Sequence, residues 1–104
     1  MQRSKITVLK RMANHDLAEE YRKEEYNQRY PLPCSQFEDG QEFLLENMSD
    51  PPEGFCGWAW ADIHRDVVQI MAGGANGAIK QPGTTIACCT DGFRPVVFKI
   101  ERME

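Results

Sequence analysis

Apolar and polar positions alternate along Lys5-Ile6-Thr7-Val8-Leu9-Lys10-Arg11 with the two-residue period of a half-buried strand, which puts Ile6 and Val8 on one face. The pattern then changes. Residues 16–28 predict a helix, capped by Asn14 or Asp16, with Leu17 and Tyr21 one turn apart. Its middle, Glu19-Glu20-Tyr21-Arg22-Lys23-Glu24-Glu25, leaves only a thin apolar stripe, so this helix is expected on the surface with its charges solvated. Pro31-Leu32-Pro33-Cys34 is expected to be extended, because proline fixes its own torsion and restricts the residue before it. Glu38-Asp39-Gly40 signals a turn, and residues 42–46 read as a short strand.

The clearest helical period comes later. Trp60, Ile63, Val67, Ile70 and Met71 recur at the spacing that places them on one helix face, with Asp62, Arg65, Asp66 and Gln69 on the other. Pro51-Pro52-Glu53-Gly54 keeps the chain out of helix, so the first turn begins near Cys56 or Gly57, and Gly73-Gly74 supplies the stop. Trp58 and Trp60 are two positions apart and cannot share a helix face; one must look towards a loop, a partner or a ligand. Residues 84–89 and 95–102 are two further strands, and the Asp91-Gly92 pair between them predicts an antiparallel hairpin. The sum is an α+β fold: an antiparallel or mixed sheet of about four strands, the central helix packed on one face and a surface helix near the N-terminus. Its edges need cover, which makes a homo-oligomer plausible.

Composition narrows the function classes. A chain of 104 residues is expected to form one domain over residues 1–104, with one core. A net charge of −4 and a pI near 5.2 argue against a nucleic-acid partner, which needs a basic face. No apolar run approaches the roughly 20 residues that cross a bilayer, so no membrane partner is expected. The first strand follows directly on a short polar lead, without the longer apolar region of a secretory signal, and the expected location is cytoplasmic. Four cysteines in such a chain are expected to be reduced rather than bridged.

Those cysteines carry the candidate chemistry. Cys34, Cys56 and either Cys88 or Cys89 each lie at the edge of an element, where side chains converge, but none forms a Cys-x-x-Cys pair. Cys88 and Cys89 point to opposite faces of a regular strand, so at most three cysteines meet at one place. His64 lies eight helical residues, about 12 Å, from Cys56 and is a poor fourth ligand. Small buried hydrophobes are the plain alternative for all four. Cys56 stands out for reactivity, since a thiolate in the first turn of the central helix gains from unpaired N–H groups and the helix dipole. Gly54 and Gly57 beside it would let a ligand approach the backbone closely, and the same geometry suits a carboxylate or phosphate. Arg94 is a candidate carboxylate binder. His15, Asp62, Asp66 and Asp91 are adequately explained by exposed or boundary positions, and the glycine-rich loop at 73–77 follows a helix rather than opening one, so it lacks a phosphate cradle.

The combination of Gly54-Phe55-Cys56-Gly57-Trp58-Ala59-Trp60 with Cys88-Cys89-Thr90-Asp91-Gly92-Phe93-Arg94-Pro95-Val96, preceded by Pro33-Cys34 and Phe37-Glu38-Asp39-Gly40-Gln41-Glu42-Phe43, resembles a family of small uncharacterised proteins common in anaerobic bacteria and archaea. The resemblance runs over residues 5–101 and is weakest at 22–33. It implies a cytosolic prokaryotic protein and draws attention to the motif cysteines, but it supplies no reaction.

The expected function is therefore small-molecule or cofactor binding, with thiol-dependent catalysis open to it, in a pocket at the start of the central helix. Cys56 would be the catalytic thiol, and Cys34, Gly54, Gly57, Trp58, Trp60, Cys88 and Arg94 the ligand-binding residues, with no metal ligands or cofactor assigned. The rival is a structural or protein-interaction module with inert buried cysteines. A metal or iron–sulfur accessory protein is the third option, without supporting ligand spacing.

Overall fold

The computed structural model describes residues 3–103; residues 1, 2 and 104 of the span expected to form one domain lie outside them. The elements run β1 (Ser4–Arg11), α1 (His15–Tyr21), α2 (Glu24–Arg29), β2 (Glu42–Leu45), α3 (Gly57–Met71), β3 (Thr84–Cys88) and β4 (Val96–Arg102). The four strands form one sheet in the order β2-β1-β4-β3, and every neighbouring pair is antiparallel. This is the α+β architecture that the alternating strands and the long helical period predict.

Alternation decides which face of the sheet is covered. Ile6 and Val8 of β1, Phe43 and Leu45 of β2, and Val96, Phe98 and Ile100 of β4 are buried on the face that meets α3. The helix answers with Ala59, Ile63, Val67, Ile70 and Met71. Its buried stripe thus begins at Ala59. Trp60 flanks it, half-buried against Phe55 and His64 at ring-centroid separations of 6.1 and 5.2 Å. On β1 the register slips between Val8 and Lys10, leaving Leu9 as an exposed bulged residue.

Both ends of α3 have local causes. Pro52, Glu53, Gly54 and Phe55 form a turn closed by Phe55 N–H donating to Pro52 O at 3.1 Å, and Gly54 supplies its left-handed torsion, φ +81°. At the far end Gly73, φ +95°, donates to Ile70 O and Gly74 to Gln69 O, the paired bonds of a Schellman stop. Arg102 reinforces it from β4, its Nη1 donating to Ile70 O at 2.8 Å and Gly74 O at 2.7 Å. A cation at the negative end of a helix is worth up to about 2 kcal/mol when partly buried. Arg102→Ala should therefore lower the thermal midpoint, by up to roughly 8–16 °C, and Arg102→Lys by less, since lysine keeps the charge. An unchanged midpoint for Arg102→Ala would show that the glycine stop suffices alone.

The single surface helix over residues 16–28 is corrected to two short ones. Arg22 and Lys23 are extended, with ψ of 136° and 137°. The acidic run buries only Ala18 in α1 and nothing in α2, so no packing holds a longer helix straight. Arg22 instead turns its guanidinium to Tyr30 O, at 2.8 Å, and over the Phe93 ring. Asn14 ties this region to the β3–β4 connection through N–H to Phe93 O and Nδ2 to Gly92 O. β3 and β4 do form the antiparallel hairpin that the Asp91-Gly92 pair predicts, but through a longer connection: Gly92 is not left-handed, and Asp91 Oδ1 accepts from the N–H groups of Phe93 and Arg94. Among the described residues no helix is long and apolar enough to cross a membrane.

Candidate functional site

At the N-terminal end of α3 a cleft of about 280 Å³ opens between the helix, the segment before β2 and the β3–β4 connection. Cys34, Cys56 and Cys89 line it, one from each of these three stretches of chain, together with Trp58 and Arg94. Its apolar floor includes Phe37 and Val96, both buried, with Ala59 of the helix stripe beside them.

Each wall has a separate origin. Cys34 is held by its backbone: Arg11 Nη1 donates to Cys34 O and to Phe37 O, both at 3.1 Å, while Nε and the backbone N–H of Arg11 bond Asp39 Oδ1. Cys56 is the N-cap residue of α3, and its side chain makes no capping hydrogen bond to the first turn among the described residues. Cys89 lies one residue past β3, and its sulfur accepts the Val96 N–H at 3.3 Å. Cys34 is buried, Cys56 and Cys89 are half-buried, and all four thiols are free. Among the described residues no group of three or more His, Cys, Asp or Glu side chains is placed to hold a metal ion.

Trp58 forms the rim. Its indole N–H donates to Thr90 Oγ1 at 2.9 Å, and Thr90 in turn donates from Oγ1 and N–H to Asp62 Oδ2 at 2.9 and 2.7 Å. Arg94 is braced by Asp91, Nε to Oδ2 at 3.2 Å, and its guanidinium lies over the Tyr30 ring. The remaining bond, Nη1 to Pro31 O, is long at 3.5 Å, and among the described residues Nη2 has no partner.

Of the residues singled out from sequence, the fold brings Cys34, Cys56, Trp58 and Arg94 to the cleft, and leaves Gly54, Gly57, Trp60 and Cys88 off its walls. Gly54 serves the turn before the helix, Gly57 faces open space, and Trp60 packs towards Phe55 and His64. Cys88 is replaced by Cys89. Thr85, Ala87 and Cys89 share the inward parity of β3, whereas Ile86 and Cys88 are exposed. The strand's one large aliphatic residue therefore belongs to the outward set, so parity read from the buried partners Phe98 and Ile100 was the signal to follow. His64 is accounted for structurally by its Nε2 contact with Met48 O at 2.6 Å. Gln36, Phe37 and Asp91 complete the cleft; as loop residues they carry no periodicity that would mark them.

Cys88 also differs chemically. Its thiol is raised from the ordinary value, first by the partial desolvation it meets although largely exposed, then by the negative charges of Cys89 and Asp62.

No protein-family model, curated protein or solved structure matches this chain.

Proposed function

We propose that this is a cytoplasmic small-molecule-binding protein of the small-protein family it resembles, with the cleft at the start of α3 as its binding site and Cys56 as the reactive thiol. What carries this reading is the convergence of Cys34, Cys56 and Cys89 from three separate stretches of chain on one opening that also holds Arg94. Cys34 belongs to the buried core and Cys56 and Cys89 pack against it, yet all three also reach this opening. Cys56 stands at the N-cap of the 15-residue α3, on the wall of this cleft. Self-association belongs to the same reading: β2 and β3 are edge strands, and Leu44 and Ile86 are exposed on the uncovered face of the sheet.

The test is competitive alkylation of the folded protein with iodoacetamide at neutral pH, resolved site by site by peptide mass spectrometry. Cys56 is expected to label ahead of Cys88, although Cys88 is the more exposed of the two. Alkylation needs the thiolate, and a raised pKa postpones it, so Cys88 should gain on Cys56 only as the pH climbs through and beyond the ordinary thiol range. Protection of Cys34, Cys56 and Cys89 alike would remove the thiol chemistry and favour the interaction-module alternative.

A further inference from the structure

A second, broader trough of about 420 Å³ adjoins the cleft, sharing Trp58, Asp91 and Arg94 with it and walled also by Tyr26, Phe93 and Arg22. Three features of this pair of hollows point to the kind of molecule they take together.

The first is Trp58. It is 65% exposed, yet its single donor is tied through Thr90 to Asp62. An indole held by its edge loses the freedom to swing, so a flat group that stacks on its exposed surface meets a platform already ordered. The second is charge. Arg94 and Arg22 flank the trough, each pinned on one side: Arg94 through Nε to Asp91, Arg22 through Nη1 to Tyr30 O and Asn27 Oδ1. Asp91 is engaged at both oxygens by its own turn and by Arg94. In a chain of net charge −4, two guanidinium groups thus face one opening against one carboxylate that is already satisfied. The third is that a cationic ligand is disfavoured. Arg22 lies 5.5 Å from the Phe93 ring centroid and Arg94 5.7 Å from that of Tyr30, so those faces already hold cations.

Resting on the small-molecule reading above, we infer that the cleft and trough together take a planar aromatic ring carrying an anionic group, the ring lying on Trp58 and the anion at Arg94, with the thiol compartment beyond. Arg94 supplies the free Nη2 donor for the anion, and Arg22 adds positive potential at the outer wall.

Two probes test this together. 2-Naphthoate, an unreactive aryl carboxylate, is titrated against the protein by tryptophan fluorescence and used as a competitor of iodoacetamide labelling. An iodoacetamide bearing a naphthalenesulfonate is compared with plain iodoacetamide. In both alkylations the thiolate sulfur forms the S–C bond, the C–I bond breaks and iodide leaves with the bonding pair, the thiol proton having gone to buffer. Naphthoate should bind saturably and slow labelling of the cleft cysteines, and neutral 2-naphthamide should do so far less. Relative to the same pair of reagents on glutathione, the aromatic anion should label a cleft cysteine of the order of tenfold faster. Trp58→Ala and Arg94→Gln should each abolish that advantage, with circular dichroism confirming that the variants are folded. If iodoacetamide labels Cys56 but naphthoate neither binds nor protects, the ligand class is wrong and the thiol cleft stands. Saturable naphthoate binding, lost in Trp58→Ala when followed by isothermal titration calorimetry, beside inert thiols would uphold the ligand class and overturn the reactive cysteine. Failure of both probes removes both readings.

Discussion

Replacing Phe98 by alanine is expected to lower the free energy of unfolding by about 3–5 kcal/mol, at least about a fifth of what a domain of this size usually possesses. Phe98 is fully buried in an inner strand of the sheet, its ring 5.2 Å from Phe37 and 5.5 Å from Phe55. Phe37 in turn meets Phe43 at 5.9 Å and Phe55 at 5.1 Å. The four rings form one cluster, and Phe98 is the member contributed by the middle of the sheet. Truncation there removes apolar burial and leaves a hole that the sheet cannot close, because the Phe98 backbone is fixed by pairing with Val8 on one side and Ala87 on the other. Urea denaturation followed by circular dichroism should show a lower midpoint with an unchanged slope. Phe98→Leu should cost clearly less. A loss below about 1 kcal/mol for Phe98→Ala would mean that Phe37 and Phe55 refill the space, contrary to the close packing of the cluster.

The same cluster explains how far the sequence could be read. The strands and α3 were legible because alternation at Ile6 and Val8, and a helical period through Ile63, Val67 and Ile70, state directly which face is buried. Phe37 and Phe55 lie in irregular segments, so no period marks them as the aromatic centre of the core. The convergence of thiols was legible in part. Cys34 and Cys56 sit beside turn signals that place them at element edges, but the choice between Cys88 and Cys89 depends on which parity of β3 faces α3, and Ile86 points the wrong way. The break between α1 and α2 was not legible either: a charged helix continues by propensity, whereas the Arg22 contacts with Tyr30 and Phe93 and the Asn27 Nδ2 bond to Ala18 O are tertiary and fold the thinly buried segment back on itself. Long flexible cations are the general blind spot, because their partners are set by tertiary approach rather than by neighbours in sequence.

Arg11 is the case in which that blind spot bears most on the site. At the end of a strand it reads as an ordinary solvated charge, yet its guanidinium reaches the carbonyls of both Cys34 and Phe37. Arg11→Ala is expected to cost about 2–4 kcal/mol, since it removes two charge-assisted hydrogen bonds from partly buried carbonyls. The ion pair with Asp39 adds little to that figure, because the carboxylate side chain is 60% exposed. The consequence for the cleft is more specific than the loss of stability. Cys34 is 8% exposed and its carbonyl is held by this side chain, so the wall it forms should loosen while α3 and Cys56 stay in place. Under native conditions, iodoacetamide should then label Cys34 faster in Arg11→Ala than in the parent chain, with the Cys56 rate little changed. Arg11→Lys separates charge from shape: an ammonium can still pair with Asp39, but it cannot span both carbonyls and the carboxylate as the fork does. Its stability and its Cys34 labelling rate should therefore lie close to those of the alanine variant. Full recovery by lysine would show that positive charge alone, not the guanidinium's three-way reach, holds the Cys34 wall against the sheet.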